Sequence, residues 1–412
     1  MKHSLKAGQL RQAFVVGLLV VWTGFSSTVR GADPIQGKVG KIGDTEVVTV
    51  WGSPSQMGEA HGYLLADRIL EVASARLKMM SQQAEAPYDR LAAALLQRVE
   101  ISPRIREELG GMLRGVERRL GKPGRVESLQ RSLTLDDLII LNSGDMIRGL
   151  ACSGFTVWGE RAGDAGVLTA RNFDYAVREI QSLGEWIILV RRPTGKKQVA
   201  TVSFPSYLGA FTGWNEDGVC TFMHDGSGGR DQTIKKSIPL ALMLKDLLED
   251  ASAAEALSLA ESQLRRGTPS PFPYMARVIS PIANNSGSPV RVFRVGPGEF
   301  GENPVGDTAC ITTNHYVNED FSAPPRTHSW STSRYTKLER GIASPVSLEE
   351  CWKQLDVVSI ADSGLATLHS VVVAPRKREL LMAIVQPGQT LEAATKQRPQ
   401  LVNFDQLFSH SN

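Results

Sequence analysis

Cysteine is scarce: four residues, at 152, 220, 310 and 351, in a chain of 412. That is too few for a disulfide scaffold. The sequence also lacks an HExxH pair, a phosphate loop, a G-x-S-x-G elbow and a paired CxxC. Nothing in it therefore argues for a zinc protease, a P-loop enzyme or a serine hydrolase with a nucleophile elbow. His61, in Gly58-Glu-Ala-His-Gly62, has no second histidine at ligand spacing and reads as a packed or capping residue. Gly296-Pro-Gly-Glu-Phe-Gly301 matches the dinucleotide fingerprint by letter, but Gly301-Glu-Asn-Pro304 continues as turn where a helix must begin. Neither a metal nor a cofactor is expected. Collagen periods, low-complexity tracts and fixed-period repeats are absent as well.

Acidic residues are missing from the first 32 positions. Lys2, Lys6 and Arg11 precede the apolar run Ala13–Trp22, and a small polar stretch follows to Gly31. A run this short suits a secretory h-region better than a bilayer span, which needs about 20 apolar residues. Residues 1–31 are expected to be a signal peptide, and the mature protein to be secreted or periplasmic without an integral membrane span. The leader also explains the charge. The whole chain carries 46 basic and 43 acidic residues, net +3; without Lys2, Lys6, Arg11 and Arg30 the balance is 42 to 43, net −1. No nucleic acid or other anionic partner is called for.

With 42% hydrophobic and 22% charged residues the remainder has the proportions of a folded globular chain. It changes character near residue 151. Residues 33–151 hold one early strand, Thr45–Val50, and then helical patterns over Ser55–Gln82, Tyr88–Val99, Arg104–Leu120 and Thr134–Asn142, the last capped by Thr134. Beyond 152, β runs alternate with turn signals: Val167–Phe173, Trp186–Val190, Val199–Phe204, Val219–Met223, Ala276–Ser280, Val290–Val295, Thr308–Thr313, Leu368–Ala374 and Leu380–Val385. Helices are expected at Leu240–Asp250, Ala253–Arg265, Ser333–Ile342 and Ser347–Val358. Strands punctuated by helix pairs predict layered sheets covered by helices. The basic stretch Arg191-Arg-Pro-Thr-Gly-Lys-Lys197 reads as a solvated turn, and Asn284-Asn-Ser286 as a glycosylation sequon that matters only in a eukaryotic source. Cys220, Cys310 and Cys351 read as buried free thiols.

The change of composition coincides with Ala151-Cys152-Ser-Gly-Phe-Thr-Val-Trp158, followed by Asp164-Ala-Gly-Val-Leu-Thr-Ala-Arg171-Asn-Phe-Asp174-Tyr175. A turn at Gly163–Gly166 predicts a hairpin that brings Arg171 and Asp174 beside Cys152. A guanidinium and a carboxylate around a thiol favour thiolate and orient a nearby amine. A buried cysteine with a surface Arg–Asp pair is the competing reading of the same residues.

This passage resembles the start of the mature chain in N-terminal-nucleophile cysteine hydrolases, and most of all the isopenicillin-N acyltransferase-like (acyl-CoA:6-aminopenicillanate acyltransferase) family. Choloylglycine hydrolases and acid ceramidases are more distant relatives. Gly213-Trp-Asn-Glu-Asp-Gly218 resembles that family's Gly-x-Asn-Glu-x-Gly turn, Thr313-Asn314-His315 its Thr-Asn-His, and Ser333-Arg334-Tyr335 its Ser-Arg. Gly52–Gly62 and Leu135–Asn142 resemble its pro-segment helices. The landmarks run in family order from about residue 50 to 340.

The resemblance implies an α+β fold, a four-layer αββα N-terminal-nucleophile sandwich over 152–412, with 33–151 as a helix-rich pro-segment that stays attached. It implies self-cleavage between Ala151 and Cys152, after which the new α-amine acts as base to its own thiol. Arg171 would tune the thiolate, Asp174 hold the amine, Asn314 donate to the oxyanion and Arg334 support the site. Where relatives often carry a second oxyanion asparagine, this chain has Met223-His224-Asp225, so His224 and Asp225 become candidates for oxyanion or substrate contacts. The implied activity is that of an amidohydrolase or acyltransferase on a small N-acyl substrate. A lipid amidase or phospholipase-type hydrolase, a non-catalytic exported binding protein and a metal-dependent hydrolase are the alternatives.

Overall fold

The computed structural model describes residues 33–144, 151–226, 231, 233–234, 236–267, 269–283, 287–298, 300–317, 329–388 and 392–409. The expected signal peptide, residues 1–31, and the sequon fall outside these residues. Ile35–Asn412 forms one compact unit.

The chain opens with the hairpin β1 (Gly37–Ile42) and β2 (Thr45–Gly52), then α1 (Pro54–Leu64), α2 (Ala66–Ala84), α3 (Tyr88–Leu96), α4 (Pro103–Leu120), the short ribbon β3 (Arg125–Val126) and β4 (Arg131–Ser132), and α5 (Leu135–Leu141). Strands then dominate: β5 (Ala151–Trp158), β6 (Val167–Ala176), β7 (Ile187–Pro193), β8 (Val199–Ser203), β9 (Thr212–Asn215) and β10 (Cys220–Asp225). After α6 (Leu240–Asp250) and α7 (Ala256–Arg266) come β11 (Tyr274–Ile279), β12 (Val290–Val295), β13 (Gly301–Asn303) and β14 (Ala309–Thr312). Helices α8 (Ser329–Gly341) and α9 (Leu348–Val357) precede β15 (Leu365–Ala374), β16 (Glu379–Ile384), β17 (Gln400–Asn403) and the short α10 (Phe404–Phe408).

Two sheets result. One runs β1-β2-β7-β8-β9-β10-β11-β12-β13, the other β14-β5-β6-β15-β16-β17. Every pairing is antiparallel except β2 with β7. Alternation along the strands assigns each face. On β7, Ile187 and Leu189 pack with the α1–α5 helices, whereas Ile188 and Val190 join the core between the sheets. On β5 and β6, Phe155, Val157, Leu168 and Ala170 pack against Leu338 of α8 and Trp352 and Leu355 of α9. A strand buried on both faces requires cover on both faces, and the four-layer αββα order follows. Helices α6 and α7 cover the larger sheet, α8 and α9 the smaller one.

The predicted helix Ser55–Gln82 is two helices, broken at Leu65, whose φ of −119° and ψ of 20° leave the helical region. Ser53 and Gln56 form a capping box ahead of Pro54, and Thr134 and Asp137 form another at α5. Gly301 pairs with Arg294 in the β12–β13 hairpin, so the last glycine of that match lies on a strand and opens no helix. Strands β1, β13 and β17 were not legible in the hydrophobic pattern because each is short or at an edge with a largely solvated face.

The solvated-turn reading of Arg191–Lys197 needs correcting at its first residue. Lys196 and Lys197 do pair at the surface with Asp250 and Asp217. Arg191 faces the helix side of the larger sheet and is fully buried. Its Nη2 donates to Glu108 Oε2 at 2.6 Å, its Nη1 reaches Glu108 Oε1, and its Nε donates to Glu249 Oε1 at 3.0 Å. Lys245 adds contacts at 3.3 Å to Glu108 and 3.2 Å to Glu249. His61 lies beside this cluster with Nε2 against the Pro205 carbonyl at 2.7 Å, and burial lowers its pKa to about 4.

Helices α1 and α4 cross with backbones almost in contact. A Cβ on Gly111 would lie 2.3 Å from the Ser55 carbonyl, and one on Gly115 2.1 Å from the Glu59 carbonyl. Both obstacles are backbone, so neither can swing aside. Gly111→Ala should therefore lower unfolding free energy by about 3 kcal/mol, the upper range for overpacking. Chemical denaturation reads this, and an unchanged midpoint would contradict the close crossing.

Candidate active site

Cys152 is the second residue of β5 and is completely buried between the sheets. The β5–β6 register sets Gly154 opposite Arg171 and Ala151 opposite Asp174. The 3₁₀ segment Gly159–Ala165 turns the chain between the two strands. Arg171 extends along the inner face and its Nη2 donates to Cys152 Sγ at 3.0 Å. The same nitrogen donates to the Met223 carbonyl at 2.6 Å, while Nη1 reaches the Phe211 carbonyl. The Cys152 thiol itself lies 3.6 Å from the Met223 carbonyl. Carbonyls from β10 and from the residue just before β9 thus hold the guanidinium against the sulfur.

The backbone of Cys152 is held from the other side. Its N–H donates to Asn314 Oδ1 at 2.9 Å. Arg334 Nη2 donates to the same Oδ1 at 2.7 Å and to the Cys152 carbonyl at 3.2 Å, and its Nη1 pairs with Asp174 Oδ2 at 2.6 Å. Helix α8 can deliver Arg334 because Ser331, Arg334 and Leu338 fall on one buried face. Asn314 follows β14 directly, and its own N–H donates to Ser331 Oγ at 2.8 Å. Two donors converge on Asn314 Oδ1, which fixes the amide orientation: Nδ2 points away and donates to the Asp225 carbonyl at 3.0 Å.

Asp174 is engaged by Arg334 and by Thr367, whose Oγ1 donates to Oδ1 at 2.7 Å. The residue in contact with the Cys152 nitrogen is Asn314. His224 faces inward on β10, where its Nε2 shares a hydrogen bond with Thr312 Oγ1 at 3.2 Å. Burial and the guanidiniums of Arg277, Arg171 and Arg334 hold its pKa well below the ordinary imidazole value, so it is neutral. Asp225 enters through its backbone carbonyl. The Cys152 thiol is pushed up by burial and by Asp174, against the pull of Arg171 and Arg334.

Several contributors were not singled out from the sequence. Thr367 is a hydroxyl within the otherwise mostly apolar run Leu365–Ala374, and Ser331 a small polar residue on a buried helix face. The carbonyls of Phe211 and Met223 carry no sequence signal at all. The Gly213–Gly218 turn is built by Asn215, whose Oδ1 accepts from the N–H groups of Asp217 and Val219, with Gly218 at a φ of 85°. All four cysteines are buried free thiols. Among the described residues no group of three His, Cys, Asp or Glu side chains could hold a metal ion, and no helix is long and apolar enough to cross a membrane.

No family model matches the sequence, and no curated protein matches it. Solved structures do resemble it. The ortholog of N-acylethanolamine-hydrolyzing acid amidase from Caenorhabditis elegans is 17% identical, over 54% of this chain and 93% of that one, with a TM-score of 0.42. Penicillin V acylase from Agrobacterium tumefaciens is 12% identical over 58% of this chain and 84% of its own, at 0.39. A variant of conjugated bile acid hydrolase from Clostridium perfringens is 14% identical over 63% of this chain and 100% of its own, at 0.34.

Proposed function

We propose that the chain is an exported, self-processing cysteine hydrolase that cleaves a linear amide through an acyl-enzyme on Cys152. The observation that carries this reading is the pair of grips on one residue: Arg171 on the Cys152 sulfur, and Asn314 with Arg334 on its backbone nitrogen and carbonyl. A structural cysteine needs neither.

In the first reaction the Cys152 thiolate attacks the Ala151 carbonyl carbon. The C–N bond breaks, the Cys152 nitrogen gains a proton, and a thioester joins Ala151 to the sulfur. Water hydrolyses it, leaving a carboxylate on Ala151 and a free thiol and α-amine on Cys152. An α-amine with an ordinary pKa of about 8 is a competent base near neutrality. In turnover the thiolate attacks the substrate amide, the amine product leaves with a proton, and water takes the acyl group. Transfer to a second amine would make the same cycle an acyltransferase. Water is the acceptor an exported enzyme always has.

Asn314 would serve twice. Its Oδ1 holds the nitrogen through the cut, and its Nδ2, now on the Asp225 carbonyl, would donate to the oxyanion. Asn314→Ala should lower kcat by about 10²–10³, the usual loss of one oxyanion donor. Steady-state assay of the cut enzyme checks this; a loss confined to KM would remove Asn314 from that role.

The reaction class is tested with a panel of N-acyl amino acids, bile conjugates and phospholipids, with mass spectrometry of the Cys152 peptide after quenching. An acyl adduct on Cys152 from amide substrates is expected. Turnover of phospholipid esters alone would replace the amidase by a lipid hydrolase, and an unmodified Cys152 with no turnover would favour a binding protein.

A further inference from the structure

Self-cleavage lacks something that the later cycle has. Before the cut the future α-amine is a peptide nitrogen, which cannot serve as a base. Among the described residues the Cys152 sulfur has two hydrogen-bond partners, Arg171 Nη2 and the Met223 carbonyl, and neither takes up a proton. His224 is bonded to Thr312, and His315 to Ser331 and Thr313. Among the described residues, charge is what can favour the thiolate of the first reaction.

Arg277 is a fully buried residue of β11, opposite Phe222 on β10. Its Nη2 crosses between the sheets to donate to the Ala170 carbonyl at 2.7 Å, next to Arg171. Its guanidinium carbon lies 4.9 Å from the centre of the Phe222 ring, which the Arg171 guanidinium also flanks at 5.8 Å. Gly154, two residues after the nucleophile, makes the room. A Cβ there would stand 2.7 Å from Arg277 Nη2 and 2.3 Å from the Ala170 carbonyl. Among the described residues, Nε and Nη1 of Arg277 have no hydrogen-bond partner and the side chain has no carboxylate ion pair. Arg171 likewise bonds only carbonyls and the sulfur. Burying a cation without an anion is costly, and a cost of that kind marks sites where function selects the charge.

We propose that Arg277 is a positioning residue for self-cleavage, supplying with Arg171 the positive field in which Cys152 ionises before an amine base exists. This rests on the self-processing reading. The proton given up by the thiol is balanced by the one the Cys152 nitrogen takes as the C–N bond breaks. The charged groups that act on the sulfur are Arg171 and Asp174 on β6, Arg334 on α8 and Arg277 on β11, and the titratable groups that face Arg277 are His224 on β10 and Cys310 on β14. His224 is neutral, burial keeps the Cys310 thiol up at about 11, and Asp174 is tied to Arg334, so the guanidiniums set the sign of the field. Removing one raises the thiol further and moves ionisation to higher pH.

The test is a time course of cutting after cell-free synthesis of the full chain at several pH values, for wild type, Arg277→Lys and Arg277→Met. Arg277→Met should cut about tenfold more slowly at neutral pH, its rate profile moving up by about one pH unit. Arg277→Lys should cut close to the wild-type rate. Arg277→Met should also melt at the same temperature as wild type or higher, because an uncompensated buried charge is gone. A merely structural arginine would lose cutting and melting temperature together, and that outcome overturns the proposal. So would an Arg277→Met profile that coincides with wild type. A wild-type chain that never cuts instead overturns the reading on which the proposal rests.

Discussion

Cys152→Ala should leave the chain as a single species of 44.9 kDa, or of that mass less the proposed leader, with turnover lower by a factor on the order of 10⁴ or more. Both effects follow from one atom. The sulfur is the attacking group in the cut and in the acyl transfer, and no second thiol is in its place, since Cys220, Cys310 and Cys351 are buried elsewhere in the fold. The substitution removes a side chain that is 0% exposed and leaves the N–H to Asn314 and the carbonyl to Arg334 intact. The folded state should survive, so circular dichroism and the melting temperature will resemble wild type. Electrophoresis and assay then report chemistry. A variant that still cuts between Ala151 and Cys152 would remove the thiol from the mechanism.

Arg191→Met should destabilise the protein by about 3–5 kcal/mol at neutral pH, the cost of breaking a buried ion pair from one side. Glu108, on α4, and Glu249, on α6, face Arg191 on β7 with no exposed edge. Lys245, with Arg104 on Glu249 at 2.6 Å, would then answer the two buried carboxylates, and Glu108 would keep Lys245 as its one cation among the described residues. Burial raises the Glu108 carboxyl, but Arg191 and Lys245 more than reverse it, to about 2. The sign follows. In the wild type this group's contribution is complete above the ordinary carboxylate range and is lost as pH falls toward 2. Without Arg191 the folded carboxyl rises, so the penalty of the variant is greatest near neutrality and shrinks in acid as Glu108 takes a proton. Denaturation midpoints at pH 7 and pH 4 measure this. An equal penalty at both would mean that lost packing, not charge, sets the stability of this junction.

The layered α+β fold was legible because most strands are buried on at least one face and declare themselves as β-branched and apolar runs bounded by turns. The hairpin that carries Cys152, Arg171 and Asp174 was legible for the same reason, helped by the turn before Val167. What was hidden depends on contacts between distant segments. Arg191 looks like the first residue of a basic turn, and only the approach of α4 and α6 reveals it as the centre of an ion cluster. His224 looks like a donor beside the nucleophile, but strand alternation turns it toward Thr312. The amide of Asn314 was assigned by type, whereas its orientation is set by Cys152 and Arg334 together. Arg277 gave no signal: a lone arginine in a β run usually snorkels to water, and this one is held inside by Gly154 and the Ala170 carbonyl.

The most direct measurement is N-terminal sequencing of the purified wild-type protein. The account predicts two sequences, one starting within or just after the proposed leader and one starting Cys152-Ser-Gly-Phe, the latter on a fragment of about 28 kDa scaled from the 44.9 kDa chain. A single sequence from an intact and active chain would contradict it.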